Sequence, residues 1–209
     1  MSLSEDLLAG LSALGVVLDS AQQKKLLDYI ALIVKWNKVY NLTAVREPEA
    51  MIGHHLLDSL AVLPHLTGVQ RLIDVGSGAG LPGIPLAIAR PEMKIALLDS
   101  NHKKATFMRQ ACLELGLTNA EVVCERVEKW QPQVKYDAVI SRAYSELKEF
   151  VRLSAHLVAK GGKLYAMKGL YPVEEIAQLK NSAKVEAVIA LTVPGLEAQR
   201  HLVIIGVEE

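Results

Sequence analysis

At 209 residues, with 51% apolar and 22% charged side chains, the chain can bury a sizeable core and is too apolar to stay disordered. Its 23 basic and 23 acidic residues cancel, so global charge does not announce a nucleic-acid partner and any polyanion must meet a local basic patch. Cys112 and Cys124 give no disulfide framework, the acidic opening MSLSEDLLAGL lacks the basic charge of a signal peptide, and no apolar run approaches the roughly 20 residues of a membrane span, so a cytoplasmic protein is expected.

Leu3, Leu7, Leu11 and Leu14 fall on one face of a short helix that Gly15 stops. Ser20 and Gln23 have capping-box spacing before a longer helix. Its buried face is Leu26, Leu27, Ile30, Ile33 and Val34, and it runs towards Tyr40. Its end, Trp36 to Asn41, mixes aromatics, amides and lysine, a set that suits either RNA contact or a packed helix end. Glu47-Pro48 opens a third helix that continues to Pro64. Residues 1–66 therefore predict a helical cap without strands, and 67–209 an α/β core, within one domain.

From Arg71 the pattern alternates. Strands are expected at 71–75, 94–98, 120–124, 137–141 and 163–168, with helices near 81–90, 101–115, 145–158 and 172–180 between them. Gly161-Gly162 is expected to turn the chain into the fifth strand. Residues 185–193 and 201–207 complete a hairpin around Pro194-Gly195. Five parallel strands followed by an antiparallel hairpin predict a seven-stranded, mostly parallel sheet, the Rossmann-like plan of class I methyltransferases.

The chemistry clusters at strand tips. Asp74-Val75 leads into Gly76, Gly78 and Gly80, glycines that let backbone approach a nucleotide-like ligand. A dinucleotide fingerprint would need glycine at 81, where Leu81 stands; G-x-G-x-G after an acidic strand points instead to S-adenosylmethionine. Asp74 is placed to order the loop or meet the cofactor's amino group, unless it is merely a solvated strand end. Asp99, ending the second strand, can accept ribose hydroxyls or cap the following helix. Val127 and Glu128 follow the third strand, where an adenine ring would lie. Arg142 at the fourth tip and Lys168-Gly169 at the fifth are placed to position a substrate, with a surface salt bridge and an ordinary strand-end lysine as the plainer alternatives. The cysteines are expected in the core, with no partner base nearby, and His54-His55 lack the cluster a metal site requires.

The fourth tip reads Ser-Arg-Ala-Tyr, with neither the Asn/Asp-Pro-Pro-aromatic device for exocyclic amines nor a nucleophilic cysteine for pyrimidine carbon 5. A nitrogen with a free lone pair, such as guanine N7, needs no proton removed and asks mainly for alignment. Taken together with Asn41-Leu42-Thr43, His55-Leu56-Leu57-Asp58-Ser59 and the long run Asp74 to Gly83, these motifs resemble the bacterial small-subunit ribosomal RNA guanine-N7 methyltransferases, the RsmG or GidB family. The resemblance spans nearly the whole chain; Ala79 stands where some relatives carry proline. It implies S-adenosylmethionine contact at Gly76, Gly78, Leu81, Val127-Glu128 and Arg142, and a guanine of 16S rRNA, in the decoding region, as target. Neutral net charge predicts weak binding to naked RNA, so a monomer acting on the small ribosomal subunit or an assembly intermediate is expected. A small-molecule methyltransferase with the helical cap as a lid is the main alternative.

Overall fold

A computed structural model describes residues 2–143, 145–179 and 183–207. Helix α1 (Leu3–Leu14) ends on Gly15 in the left-handed region, as expected. Helix α2 spans Ser20–Tyr40, but its cap is not Ser20. Asp19 accepts from the Gln22 N–H at 2.7 Å, and the Gln22 side chain returns the bond to the Asp19 N–H. The box lies one residue earlier than expected, and a carboxylate is the stronger acceptor at a helix N-terminus. The third helix is continuous from Pro48 but not uniform: α3 (Pro48–Met51) passes through a π-type stretch, Ile52–Leu57, into α4 (Asp58–Leu60).

The strands are β1 (Arg71–Val75), β2 (Lys94–Leu98), β3 (Ala120–Val123), β4 (Tyr136–Arg142), β5 (Val158–Lys168), β6 (Lys184–Ala190) and β7 (His201–Gly206). They form one sheet in the order β3-β2-β1-β4-β5-β7-β6, in which β1 to β5 pair in parallel and β7 runs antiparallel between β5 and β6. Between them lie α5 (Gly83–Ala89), α6 (His102–Glu114), α7 (Leu147–Ser154) and α8 (Val173–Gln178). Lys180, in the expected last helix, is outside the described residues. The glycine pair also departs from expectation: Gly161-Gly162 lies inside β5, at a register shift where β4 advances from Tyr136 to Ala138 while β5 advances from Val158 to Lys163. A Cβ on Gly162 would sit 2.8 Å from the Asp137 carbonyl oxygen, so the pair lets β5 pass close to β4 at this irregularity within the strand.

Strand periodicity sends alternate residues to opposite faces. Leu72, Ile95, Leu97, Ala138 and Ile140 face a core that also contains Leu7, Tyr29, Ile33, Leu56 and Leu60 of the helical segment. Ile73, Ala96, Leu98, Val139 and Leu164 face a second core with Leu147, Phe150 and Val151 of α7. The N-terminal helices are thus one wall of the principal core. Polar links reinforce this: Gln22 Nε2 donates to the carbonyls of Ile88 and Ala89 at the end of α5, and buried Tyr29 donates its hydroxyl to the Ala79 carbonyl at 2.5 Å. Among the described residues no helix is long and apolar enough to cross a membrane.

Tyr29 therefore tests the coupling of the cap to the loop that follows β1. Tyr29→Phe retains the ring but leaves the Ala79 carbonyl without its donor, and stability should fall by about 1–3 kcal/mol in urea titration. An unchanged midpoint would show that the bond contributes nothing.

Candidate functional site

The C-terminal tips of β1 to β5 carry two adjoining clefts that share Ala143. The first, of about 470 Å³, is lined by Gly76, Asp99, Val127 and Glu128 together with Arg126 and Ala143. The second, of about 330 Å³, is lined by Arg142, Lys168, Gly169, Asp58, Arg200 and again Ala143. Ala143 has φ of 53°, a left-handed conformation unusual for a residue with a Cβ.

The first cleft is built on the loop after β1. Gly76 and Gly78 have φ of 71° and 60°, a region that a side chain strains, and both are partly exposed. Gly80 and Leu81 are buried away from the cleft, and a Cβ on Gly80 would collide with Ile84. The loop's N–H groups are distributed among fixed acceptors. Those of Gly76 and Ser77 reach the Leu98 carbonyl, that of Gly78 reaches Asp99 Oδ2 at 2.9 Å, and that of Gly83 reaches Asp74 Oδ2 at 2.8 Å.

Asp74 is fully buried and not a solvated strand end. Among the described residues its Oδ1 has no hydrogen-bond partner, and burial raises its pKa to about 7 even though the Gly83 N–H and Arg142 pull it down. Asp99 is not the helix cap: Asn101 caps α6, accepting from the N–H groups of Lys103 and Lys104. Asp99 Oδ1 instead accepts from the Asn101 N–H at 2.8 Å. Each carboxylate oxygen keeps a further lone pair, so Asp99 can still accept from a hydroxyl.

The second cleft rests on a residue for which the sequence suggested no role. Asp58 is 1% exposed on an apolar helix face and takes Arg142 Nη1 on Oδ2 at 3.1 Å and Arg200 Nε on Oδ1 at 2.9 Å. The same Arg142 nitrogen donates to the His54 carbonyl in the π-type stretch. The signal was present: a carboxylate between Leu57 and Leu60 cannot stay buried without a cation. Lys168 is also engaged, with Glu175 Oε2 at 2.7 Å and the Ser145 carbonyl at 2.8 Å. Glu175 in turn accepts from the Leu147 N–H at the start of α7. Ser141 is buried and donates its hydroxyl to the Val75 carbonyl. Tyr144 lies outside the described residues.

Other candidates are spent on packing. Trp36 stacks on Tyr40 with centroids 5.3 Å apart and meets Phe107 edge-on, while Asn37 brackets the backbone N–H and C=O of Thr43. Buried His55 bonds Thr43 Oγ1 at 2.9 Å, and burial lowers its pKa to about 4. Burial raises the Cys112 thiol to about 11. Cys124 does have a base nearby, contrary to expectation: the fold brings His102 Nδ1 to 3.3 Å from its sulfur.

The arrangement suits a ligand with hydroxyl and amine donors and an apolar ring: acceptors at Asp99 and Glu128, an apolar contact at Val127, and a glycine backbone between them. The family model described as GidB, rRNA small subunit methyltransferase G, matches residues 22–203. The chain belongs to the GidB family. The ribosomal RNA small subunit methyltransferase G of Laribacter hongkongensis is 58% identical over 206 residues, covering 99% of both chains. The chain is also similar to two solved SAM-dependent methyltransferases. The Aquifex aeolicus enzyme has a TM-score of 0.59 at 20% identity, covering 83% of this chain and 97% of that one. The enzyme from Thiobacillus denitrificans, solved with S-adenosyl-L-homocysteine, has a TM-score of 0.54 at 10% identity, covering 73% and 90%. At these identities the structural matches support the fold, while the GidB assignment rests on sequence.

Two buried titrations act in opposite directions. Asp74 has a folded pKa of about 7 against 3.8, so its destabilising contribution is full above pH 7 and disappears as pH falls towards 4. His55 has a folded pKa of about 4 against 6.5, so its contribution is present above pH 6.5 and is lost as pH falls towards 4. Asp74→Asn removes only the first. Its stability should therefore drop more steeply than that of the native chain on acidification from pH 7 to 4, measured by urea titration. Parallel profiles would refute the titration assigned to Asp74.

Proposed function

We propose that this GidB-family chain methylates N7 of a guanine in 16S rRNA, using S-adenosylmethionine held in the first cleft. Gly76 and Gly78 offer backbone to its methionine end, Asp99 accepts from its ribose, and Val127 and Glu128 meet its adenine. Asp74 shapes the loop from beneath, with Gly80 and Leu81 fixing its path. When bound, the cofactor supplies an electrophilic methyl group on a sulfonium.

The observation that carries the acceptor assignment is the tip of β4, between the two clefts. Ser141 there is buried and committed to the Val75 carbonyl, and the Arg142 guanidinium carries hydrogen-bond donors and no acceptor. Neither is a general base. Guanine N7 presents a lone pair in the plane of the ring, so no proton has to be removed before the bond forms. The work left for the chain is alignment and exclusion of water. Arg142 is a positioning residue in this account. A cation beside a base that gains positive charge opposes the reaction, and Asp58, 3.1 Å away and shared with Arg200, offsets part of that charge. Lys168 holds the wall of the cleft through Glu175 and is a positioning residue by the same logic.

The partner is small-subunit rRNA, presented by the ribosomal subunit or an assembly intermediate and approached by a monomer. With 23 basic residues against 23 acidic ones, long-range attraction to naked RNA is weak, and the folded loop must come to a local site. A-form RNA buries its major-groove edge, so N7 is reachable only in a loop or an extruded base.

Nucleoside mass spectrometry of rRNA from cells with and without the gene should show one 7-methylguanosine in small-subunit rRNA that disappears with the gene; an unchanged nucleoside profile would overturn the proposal. For the cofactor cleft, Gly78→Val forces a side chain at a φ of 60°, where the nearest atom to its Cβ is the Gly76 carbonyl oxygen at 3.9 Å. S-adenosylhomocysteine binding by calorimetry should be lost while the thermal transition stays cooperative. Retained affinity would move the cofactor elsewhere.

A further inference from the structure

The second cleft has a charge left over and an uncovered apolar rim. Arg142, Lys168 and Arg200 are cations, and the carboxylates paired with them are Asp58, shared by both arginines, and Glu175, bonded to Lys168. One positive charge therefore has no counterpart among the paired groups. It resides on two guanidiniums that are only 24% and 22% exposed, where screening by water is incomplete. A single phosphodiester carries the one negative charge that would balance it, and guanidinium is the group whose geometry suits phosphate. The bonds already made use Arg142 Nη1 and, on Arg200, Nε and Nη1, so among the described residues Nη2 of each arginine has no protein partner.

Immediately beyond Lys168-Gly169 the chain exposes Leu170 by 74%, Tyr171 by 52% and Val173 by 65%. This strip does not hang loose. His201, which follows Arg200 at the start of β7, donates Nδ1–H to the Gly169 carbonyl at 2.8 Å, and its ring meets Tyr171 edge-on with centroids 5.6 Å apart. A half-exposed aromatic ring is thus fixed beside a half-buried cation pair. That combination suits a nucleotide taken out of its stack, with the phosphate on the charge and the base on the ring.

We infer that the cleft between the tips of β4 and β5 receives one extruded nucleotide of the substrate RNA, its phosphodiester on the Arg142–Arg200 pair above Asp58 and its base against Leu170 and Tyr171. This rests on the proposed RNA methylation and names the subsite through which the target is held. Arg200 and Tyr171 are the binding residues it adds.

The test uses small ribosomal subunits from cells lacking the gene. Tyr171→Ala should lower kcat/KM for subunits about 5- to 150-fold, the equivalent of the ~1–3 kcal/mol of one base–aromatic stack, while S-adenosylhomocysteine affinity is unchanged. Tyr171→Phe, which keeps the ring, should restore activity. Arg200→Gln should reduce the log–log salt slope of subunit binding by about 0.7, the share of one phosphate contact, and Arg200→Lys should keep it. Should Arg200→Gln fail to fold, the two Tyr171 variants decide alone, because that side chain is at the surface. A Tyr171→Ala protein with native kcat/KM, still producing 7-methylguanosine, removes the subsite and leaves the function standing. Native protein that makes no 7-methylguanosine removes the function itself.

Discussion

Everything at this sheet edge depends on how the loop from Gly76 to Gly83 satisfies its backbone. A strand that turns sharply into a helix presents several N–H groups with no ladder or helical partner. Here the carboxylates of Asp74 in β1 and of Asp99 just beyond β2 take two of them, at Gly83 and Gly78, and the Leu98 carbonyl takes two more. A tyrosine hydroxyl from α2 holds the Ala79 carbonyl. The loop is shaped before a ligand arrives, so little ordering has to accompany binding. The cost falls on Asp74, a buried carboxyl with one oxygen that has no partner among the described residues, and its pKa near neutrality expresses that cost.

The same logic operates on a larger scale between the clefts. A methyl donor and its acceptor must meet at close range with water excluded, yet a zwitterionic donor and a polyanionic acceptor need different surroundings. The fold separates them across Ala143: acceptor groups just beyond β2 and β3 on one side, cations of β4, β5 and the β6–β7 connection on the other. Asp58 joins the separate chain segments that build the second side, because from α4 it receives both β4 and the approach to β7. Removal of either arginine still leaves the other on the carboxylate, so the loss should be smaller than the roughly 3–5 kcal/mol of stripping a buried charge of its last partner. The helical cap thereby contributes to both clefts, through Tyr29 to the first and Asp58 to the second.

The elements and sheet plan were legible because their signals are local. Apolar runs bounded by glycine and proline placed β1 and β2 to the residue, and the alternation with helices implied the parallel order. Errors arose where two local signals competed or where a partner was distant in sequence. Asp19 and Ser20 both have a glutamine three residues on, and spacing alone cannot choose between them. Gly161-Gly162 looks like a turn because the irregularity it serves shows only in the pairing of β5 with β4. Cys124 had no base within its own strand, and His102 became its neighbour only when α6 packed beside β3. Of the candidate site, Gly76, Asp99, Val127 and Glu128 were found because strand tips of a parallel sheet converge on one edge. Asp58, Arg200 and Tyr29 were not, since each acts through a contact more than 40 residues away in the chain.

The neutral net charge, at first sight an argument against RNA, becomes informative once the charges are located. A uniformly basic surface binds any RNA and discriminates poorly, because phosphate contacts carry no sequence information. An equal count of acid and base removes that background attraction. Selectivity can then fall on a few half-buried groups whose strength depends on a ligand excluding water from them. Asp58 has a second consequence here, because it cancels one of the two guanidinium charges and leaves the pair with a single positive charge. Such a pair attracts a free anion weakly but holds a phosphate well once the neighbouring base has docked and the site is dry. Recognition by one correctly presented nucleotide, rather than by charge at a distance, is the outcome that this balance of residues favours.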